Sequence, residues 1–282
     1  MGFHRILCPV DFSEASSAAA RFAAALAHQN ASELTLLHVA PAIDFGFSMA
    51  EPNQERLAEL AAQRDQAVRR ALEAFPAPDV AARRELVQGD AGLEIVRIAR
   101  EGYDLVVMST HGSGAIRRWL LVGSTTSKVL HASECAVIAA TDFSGRSPQF
   151  RRIVCALDLG PQSRRVLCSA AGLAREPGAT LMVVHATPGF GDAARDFIDG
   201  GWRSTLNTGL RERISALQRE TSVEGEVLIE AGESYTVVPE TAGRAGADLI
   251  VIGRGVHTGV LGRLRAQAYE IIRNAPCPVL SV

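Results

Sequence analysis

The sequence lacks a strong excess of charge of either sign. Its 282 residues carry 29 Lys and Arg against 31 Asp and Glu, which gives a formal net charge of −2. A chain without a basic excess cannot neutralise many backbone phosphates, so nucleic acid is not expected as a main partner. No apolar run approaches the roughly 20 residues of a membrane helix, and the short run Ile6–Val10 ends in Asp11, unlike a signal peptide. These absences predict a soluble cytoplasmic protein without a membrane partner.

Cysteine is scarce, and its pattern excludes two common uses of sulfur. Cys8, Cys135, Cys155, Cys168 and Cys277 are odd in number and form no Cys-x-x-Cys pair. A zinc site or a disulfide framework is therefore not expected. We expect all five side chains to be small buried hydrophobic groups.

Several nucleotide-binding and hydrolase motifs are absent as well. The chain has no Gly-x4-Gly-Lys-Ser/Thr, no Gly-x-Gly-x-x-Gly after its first strand, no His-Glu-x-x-His and no Gly-x-Ser-x-Gly. Apolar residues nevertheless make up 47% of the chain, enough for a full core, so general disorder is excluded. The sequence thus predicts a folded protein in which no catalytic residue can be named.

What the sequence does contain is a tandem repeat. Arg5–Asp11 returns as Arg152–Asp158, and Tyr103–Met108 returns as Ala247–Ile252. The offset of about 142–147 residues is the size of a domain rather than of a solenoid unit. We predict a first domain over residues 1–141, a linker over 142–150 and a second domain over 151–282.

Within each copy, continuous apolar runs alternate with longer segments of helical period. In the first copy we predict strands near 4–10, 33–39, 82–88, 104–109 and 135–140, and helices near 14–29, 53–75, 92–101 and 123–132. Ser13 is the predicted N-cap of the first helix. Strands that are apolar on both faces indicate a parallel sheet covered by helices. The pattern therefore predicts an α/β fold with doubly wound sheets, in which ligands bind at the carboxyl ends of strands.

The most informative segment reads as a buried strand, a glycine-bearing loop and the first turn of a helix. It covers Val106–Gly114 and continues at Gly123–Thr126. A loop of this kind presents backbone N–H groups at a helix N-terminus, where the macrodipole is positive and binds anions. The alternative is an ordinary loop with Ser124 as a helix cap. The candidate phosphate-binding residues are Ser109, Gly112, Gly123, Ser124, Thr125 and Thr126.

These segments resemble the universal stress protein family, whose members carry Gly-x2-Gly-x9-Gly-Ser/Thr after a strand ending in Met. Met108, Gly112, Gly123 and Ser124 match this motif. Ser109 stands where the first glycine is expected, and ten residues rather than nine separate Gly112 from Gly123. The resemblance covers nearly the whole chain. It implies two tandem five-stranded parallel-sheet domains that are Rossmann-like and similar to the adenine nucleotide alpha hydrolases.

The resemblance also implies ATP or a related adenine nucleotide, with or without Mg²⁺, as a ligand of the first domain. In the family, the acid that matches Asp11 and its neighbours, here Pro9 and Val10, contact the ribose and adenine. The position that matches Val39 meets the adenine through its backbone. Asp11 could instead be a strand-end or helix-capping acid. We interpret His38 as a satisfied core histidine rather than a ligand.

The second copy is degraded as a phosphate site. Asp158 persists, but Val256 stands where the second glycine is expected, and Arg265 replaces the glycine of the Gly-Ser pair. A base or ribose pocket could therefore survive without a place for phosphates. Arg254 and Arg263 add positive charge to this loop, which either binds another anion or faces water.

The sequence leaves three functions open. The leading hypothesis is a ligand-responsive stress protein that binds the nucleotide in its first domain and performs no chemistry. A nucleotide-independent interaction module is favoured by Ser109 and by the altered second copy. A slow ATPase would need His111 or Arg117 to stabilise charge, and no general base is evident.

A last expectation concerns assembly. Members of the family commonly pair through their last strands in antiparallel fashion. The fusion would let Ala136–Ala140 pair with Pro278–Val282 inside one molecule, which covers an edge that otherwise invites aggregation. A homodimer of such chains is left open.

Overall fold

A computed structural model of the chain describes residues 2–42, 54–111, 123–174, 178–187, 200–254 and 262–282. The described residues divide into two compact units. The N-terminal unit comprises residues 3–135 and 143–146, and the C-terminal unit consists mainly of residues 136–142 and 147–282. The predicted domain limits at 141 and 151 stay a prediction.

The N-terminal unit alternates strands and helices along the chain. Its elements are β1 (Arg5–Pro9), α1 (Glu14–Asn30), β2 (Glu33–Ala40), α2 (Gln54–Glu73), β3 (Arg83–Gln88), α3 (Ala91–Ala99), β4 (Leu105–Ser109) and α4 (Ser124–Ala132). The strands lie in the order β3-β2-β1-β4, and all neighbours within this unit whose register is known are parallel. Each element lies within a few residues of its predicted range, and the α/β class is confirmed.

Local sequence explains how α1 begins and ends. Ser13 has extended backbone angles and its side chain accepts a hydrogen bond from the Ser16 N–H, so the predicted N-cap is confirmed. At the other end, Ala31 adopts a left-handed conformation with φ 53°, and its N–H bonds back to the last turn. The helix buries alanines such as Ala19 and Ala23 against the sheet, because their small side chains allow close approach.

The C-terminal unit repeats this alternation. Its elements are β5 (Ala136–Ala140), β6 (Arg152–Ala156), α5 (Ser163–Leu173), β7 (Thr180–Thr187), α6 (Gly200–Thr221), β8 (Glu226–Ala231), α7 (Ser234–Ala245), β9 (Leu249–Ile252), α8 (Gly262–Asn274) and β10 (Val279–Ser281). The strand order is β5-β10-β9-β6-β7-β8. All of these pairs are parallel except β5 with β10.

The antiparallel pair confirms the predicted pairing of the two last strands. Ile138 on β5 lies opposite Leu280 on β10, and both side chains are fully buried. Within the C-terminal unit β5 therefore covers the edge of β10 that a parallel sheet would leave open.

Each unit contains one point at which the strand order changes direction along the chain. In the N-terminal unit β1 lies between β2 and β4, with Ile6 opposite Leu105. In the C-terminal unit β6 lies between β7 and β9, with Ile153 opposite Leu249. Crevices at such switch points, outside the carboxyl ends of the strands, are where α/β sheets bind ligands.

The cysteine expectation is wrong at one position. Cys8, Cys155 and Cys277 are buried and Cys135 is partly buried, but Cys168 is exposed. The helical period of α5 places this side chain away from the buried stripe that includes Val166. Among the described residues, no helix is both long enough and apolar enough to span a membrane.

Candidate functional site

A cavity of about 300 Å³ opens at the carboxyl ends of β1, β2 and β4. Its size falls at the small end of the roughly 300–1,000 Å³ that small-molecule sites occupy. Ten of the sequence-predicted site residues line it together: Pro9, Val10, Asp11, Val39, Met108, Ser109, Gly123, Ser124, Thr125 and Thr126. Gly112 lies outside the described residues. The structure thus brings these side chains to one crevice, and their role in binding stays a prediction.

Asp11 is held at the end of β1 by the start of the following helix. Its Oδ1 accepts hydrogen bonds from the Ser13 N–H at 3.1 Å and from the Ser13 hydroxyl at 2.6 Å. The Asp11 N–H donates to the hydroxyl of Ser16 at 3.3 Å. The carboxylate therefore stabilises the first turn of α1 and lines the cavity, so the structural and the ligand-binding interpretation are compatible.

The residue after Asp11 stores backbone strain beside the cavity. Phe12 has φ 63°, a left-handed conformation that is uncommon for a bulky side chain. Its ring packs on the His38 ring with centroids 4.4 Å apart and on Phe75 at 5.7 Å. The same position of the second repeat, Leu159, also has a positive φ of 57°. This bend between strand and helix is a property of both repeats.

His38 is fixed by the backbone of the neighbouring strand end. Its Nδ1 lies 2.7 Å from the carbonyl oxygen of Val10. A carbonyl oxygen only accepts, so Nδ1 carries the hydrogen and donates. The hydrogen bond confirms that His38 is a satisfied histidine, although it is partly buried and also lines the cavity.

The start of α4 lies at the cavity wall and begins with glycine. Its N-cap residue is Gly123, and no side chain of a described residue caps the first turn. The Ser127 N–H bonds to the Gly123 carbonyl, so the N–H groups of residues 124–126 precede the first bond of the helix. The alternative in which Ser124 caps the helix is wrong, because Ser124 is already the first helical residue. The first turn carries no acidic residue.

Short contacts hold this helix end against β4. The Thr126 hydroxyl donates to the Ser109 carbonyl at 3.0 Å, and the Gly123 N–H donates to the Thr110 carbonyl at 2.8 Å. A Cβ added at Gly123 would lie 3.1 Å from that carbonyl oxygen. Glycine therefore allows the close approach between α4 and the end of β4.

Ser109 stands where the family motif has a glycine, and its side chain makes a hydrogen bond within the turn that follows β4. Its hydroxyl donates to the His111 carbonyl at 2.8 Å. The Nδ1 of His111 lies 2.8 Å from the Thr110 hydroxyl, and both residues line the cavity. The extra side chain thus stabilises the end of β4.

The sequence interpretation missed the contribution of α3. Ala91 and Ile95 line the cavity, and Asp90 caps the helix by accepting from the Leu93 N–H at 3.0 Å. The sequence could have indicated this contribution, because residues 89–91 follow the carboxyl end of β3 in the same way that Asp11 follows β1. Leu37, Ser16 and Thr110 were missed as well.

The Asp90 carboxylate also pairs with a cation on α4. Lys128 Nζ lies 2.7 Å from Asp90 Oδ2. The hydrogen bond from Lys128, and then the N–H of Leu93, hold the pKa of Asp90 below its ordinary value. Lys128 lies one turn after Ser124, so the pair fixes α3 beside the start of α4. Among the described residues, no group of three His, Cys, Asp or Glu could hold a metal ion.

Known proteins are similar to this chain in sequence. The model of the universal stress protein family matches residues 2–140 and 149–282. A universal stress protein of Mycolicibacterium smegmatis is 26% identical over 292 residues, covering 98% of this chain and 96% of the relative. Universal stress protein A homolog 1 of Coxiella burnetii is 30% identical over 142 residues, 47% of this chain and 96% of the relative.

A solved structure shows the same fold over the whole chain. The crystal structure of a universal stress protein from Archaeoglobus fulgidus has a TM-score of 0.67 and 20% sequence identity, and covers 98% of this chain and 95% of that one. The family model accounts for both halves of the sequence, and the fold has the predicted alternation of strands and helices. The chain belongs to the universal stress protein family, with two of its domains in tandem.

Proposed function

We propose that the N-terminal unit binds an adenine nucleotide, ATP or a shorter relative, and responds to it by a change in stability rather than by chemistry. The phosphates bind at the start of α4, the ribose hydroxyls donate to Asp11, and the base lies beside Val39. Binding stabilises the conformation that makes these contacts and shifts the population towards it.

One observation carries this proposal: the first turn of α4 begins with a glycine, lines the cavity and has no side-chain cap from a described residue. In the same unit α1 and α3 are capped by Ser13 and Asp90. The N–H groups of residues 124–126 precede the first hydrogen bond of the helix, and together with the positive helix end they favour an anion. The hydroxyls of Ser124 and Thr125 add further donors.

The charges around the cavity are consistent with an anionic ligand at one end only. Among the described lining residues, Asp11 is the one carboxylate, and it lies on β1 rather than on the α4 side. Asp90 is neutralised by Lys128. The α4 side of the cavity is therefore the one suited to phosphates, and the Asp11 side is suited to hydroxyl donors.

The proposal predicts that Ser124→Glu abolishes nucleotide binding without unfolding the protein. The carboxylate would occupy the position of the phosphates and repel them, while an acid in the first turn is favourable for the helix itself. Wild type in nucleotide at about 100 times its dissociation constant should gain about 2.7 kcal/mol of unfolding free energy. The variant should gain none, as measured by thermal and urea unfolding with AMP, ADP and ATP.

A matched control adds the same charge to another first helical turn. Thr236 is exposed in the first turn of α7, so Thr236→Glu should leave the nucleotide-dependent gain intact. Each titration is run with EDTA and again with Mg²⁺, which separates binding of the nucleotide from binding of its magnesium complex. A wild-type protein whose stability and heat of titration do not change in any nucleotide would overturn the proposal and favour a nucleotide-independent interaction module.

A further inference from the structure

The C-terminal unit contains a cavity of about 530 Å³ at the amino ends of β6, β7 and β8. In the N-terminal unit the candidate nucleotide site lies at the other, carboxyl ends of the strands. The volume is within the roughly 300–1,000 Å³ that small-molecule sites occupy. The described lining combines one guanidinium and two carboxylates with an apolar surface, and includes Arg152, Glu224, Glu226, Leu181, Met182 and Ala247.

The first repeat fills the corresponding place with an aromatic side chain. Tyr103, just before β4, is 6% exposed, and its hydroxyl donates to the hydroxyl of Thr35 on β2 at 2.8 Å. The guanidinium of Arg5 on β1 lies over the ring, with Cζ 4.5 Å from the ring centroid. A cation over an aromatic face is a favourable contact. The ring therefore packs across the amino ends of β1 and β2.

The second repeat lacks this ring. Ala247 stands at the repeat position of Tyr103. Met182 is the third residue of β7, as Thr35 is of β2, but Met182 is only partly buried whereas Thr35 is 4% exposed. The short side chain of Ala247 therefore leaves open the space that a phenol ring fills in the first repeat.

The arginine that covers the ring is nevertheless kept. Arg152 is the first residue of β6, as Arg5 is of β1. A Cβ added at Gly102 would lie 2.8 Å from Nη1 of Arg5. A Cβ added at Gly246, the matching glycine, would lie 3.3 Å from Nη1 of Arg152. The two guanidinium groups thus lie against the same turn of their repeats, so Arg152 is placed to cover a ring.

The Arg152 guanidinium has no ion pair or hydrogen bond with a described residue. In the first repeat, Arg5 Nε lies 3.4 Å from Glu33 Oε2, and Arg5 Nη1 donates to the Glu101 carbonyl at 2.6 Å. Thr180 takes the position of Glu33 in the second repeat, and Arg152 is exposed whereas Arg5 is partly buried. The cation is therefore available to a ligand.

We propose that this cavity binds a small uncharged phenol, with its ring under the Arg152 guanidinium in the place that Tyr103 fills in the first repeat. The ring lies on Ala247 and against the thioether of Met182, and contacts between sulfur and an aromatic ring are favourable. This site does not depend on the function proposed for the N-terminal unit.

The charges of the lining favour an uncharged ligand. Glu224 and Glu226 line the cavity together with Arg152. Either carboxylate can accept a hydrogen bond from a phenol hydroxyl. The same two carboxylates repel an aromatic carboxylate, and they offset the positive charge of Arg152.

The test is methyl NMR of the full-length protein with labelled methionines, titrated with phenol, the aromatic group of a tyrosine side chain. Met182 lines this cavity and Met108 lines the cavity of the N-terminal unit. Phenol should shift the Met182 methyl signal in a saturable way and leave the Met108 signal unchanged. A Met182 signal that does not shift, or that shifts without saturating, up to the solubility of phenol would overturn the proposal, as would an equal response of Met108.

Two matched compounds test the chemistry of the ligand. Cyclohexanol keeps the size and the hydroxyl of phenol but lacks the aromatic face, and benzoate replaces the hydroxyl by a carboxylate. Both should bind several-fold more weakly than phenol. Equal or tighter binding of cyclohexanol would contradict the contact between the ring and Arg152. Equal or tighter binding of benzoate would contradict the preference for an uncharged ligand.

Two variants test the residues that form the site. Ala247→Tyr supplies the missing ring from the chain itself, so the response of Met182 to phenol should be lost. Arg152→Gln removes the cation from an exposed position and should weaken phenol binding several-fold. Arg151→Gln removes the same charge from the exposed neighbour, which does not line the cavity, and should leave binding unchanged. Wild-type affinity in a folded Ala247→Tyr or Arg152→Gln protein would contradict the proposal.

Discussion

At the residue scale, individual side chains of this protein have two roles that sequence alone could not separate. Asp11 was predicted either as a ligand contact or as a helix-end acid, and its carboxylate both holds Ser13 and lines the cavity. The sequence placed Asp11 at a strand end because the apolar run stops there. It could not show the direction of the carboxylate, which depends on the strained turn at Phe12.

The reactivity of each cysteine should depend on how far its side chain is buried. Burial raises the pKa of the Cys8 thiol to about 12 and raises the pKa of Cys155 as well, so neither supplies a thiolate near neutral pH. Cys168 is exposed. We therefore expect a thiol reagent to label Cys168 first in the native protein, and Cys8 and Cys155 only after unfolding, as measured by peptide mass spectrometry.

The control for this labelling is Cys168→Ser, which should remove the fast reaction and leave the signal seen in denaturant from the other cysteines. Rapid native labelling of Cys8 would contradict the burial of β1.

The expectation that Cys168 is buried was wrong because the sequence does not show which face of α5 packs on the sheet.

The Asp90 and Lys128 pair predicts a pH dependence of stability. The folded-state pKa of Asp90 is lowered by the hydrogen bond from Lys128 and by the Leu93 N–H. Its contribution to stability is therefore present above the unfolded-state pKa of about 3.9 and is lost as the pH falls through the lower folded-state value. Asp90→Asn keeps an N-cap side chain but loses the charge, so the variant should be less stable than wild type at pH 7.

The measurement is urea unfolding of wild type and Asp90→Asn from pH 7 downwards, and the difference between them should shrink as the pH falls through the folded-state pKa. Asp79 is exposed, so Asp79→Asn is the control that removes a carboxylate without touching the Asp90 and Lys128 pair. A difference that is constant from pH 7 to 3 would contradict the ionic role of Asp90.

At the scale of elements, the proposed function depends on the start of α4. The sequence predicted the range of α4 closely, because the strand and the Gly-Ser pair mark its start. It did not reveal that Gly123, rather than Ser124, is the cap position. It also missed α3, whose cavity residues follow β3 at a turn with no recognised motif.

The turn between β3 and α3 should depend on glycine. Gly89 has φ +149°, and its counterpart Gly232 between β8 and α7 has φ +147°. A Cβ at Gly89 would also lie 3.0 Å from Cγ of Glu94. We expect Gly89→Ala to lower the free energy of unfolding by more than about 1 kcal/mol, because alanine is strained at this φ.

Gly209 provides the opposite case for the same substitution. It lies inside α6 and has open space around the position of a Cβ. Gly209→Ala should therefore raise stability by about 0.5–1 kcal/mol. Urea unfolding checks both variants, and equal effects of the same sign would show that backbone conformation does not decide the outcome.

At the scale of the whole molecule, the repeat explains most of what sequence could predict. The two copies share apolar strands, the strand-end acids Asp11 and Asp158, and the histidines His38 and His185. Periodicity therefore gave the fold class and the positions of the crevices. The sequence also shows Ala247 in place of Tyr103. The cavity that results depends on how the side chains around it pack, so it could not be predicted from the sequence.

The pairing of β5 with β10 belongs to the same scale. The strands are short apolar runs, and their antiparallel pairing was expected from the family resemblance rather than from periodicity. The structure adds the register, with Val279 opposite Ala139. Association of two such chains into a homodimer stays a prediction.

The central claim is that the N–H groups at the start of α4 bind the phosphates of an adenine nucleotide. The most direct measurement follows the backbone amide signals of Ser124, Thr125 and Thr126 by NMR during a titration with AMP. We predict large saturable shifts of these three signals and slower exchange of their hydrogens with solvent, neither of which adenosine produces. Binding of AMP that leaves all three amides unchanged would contradict the account.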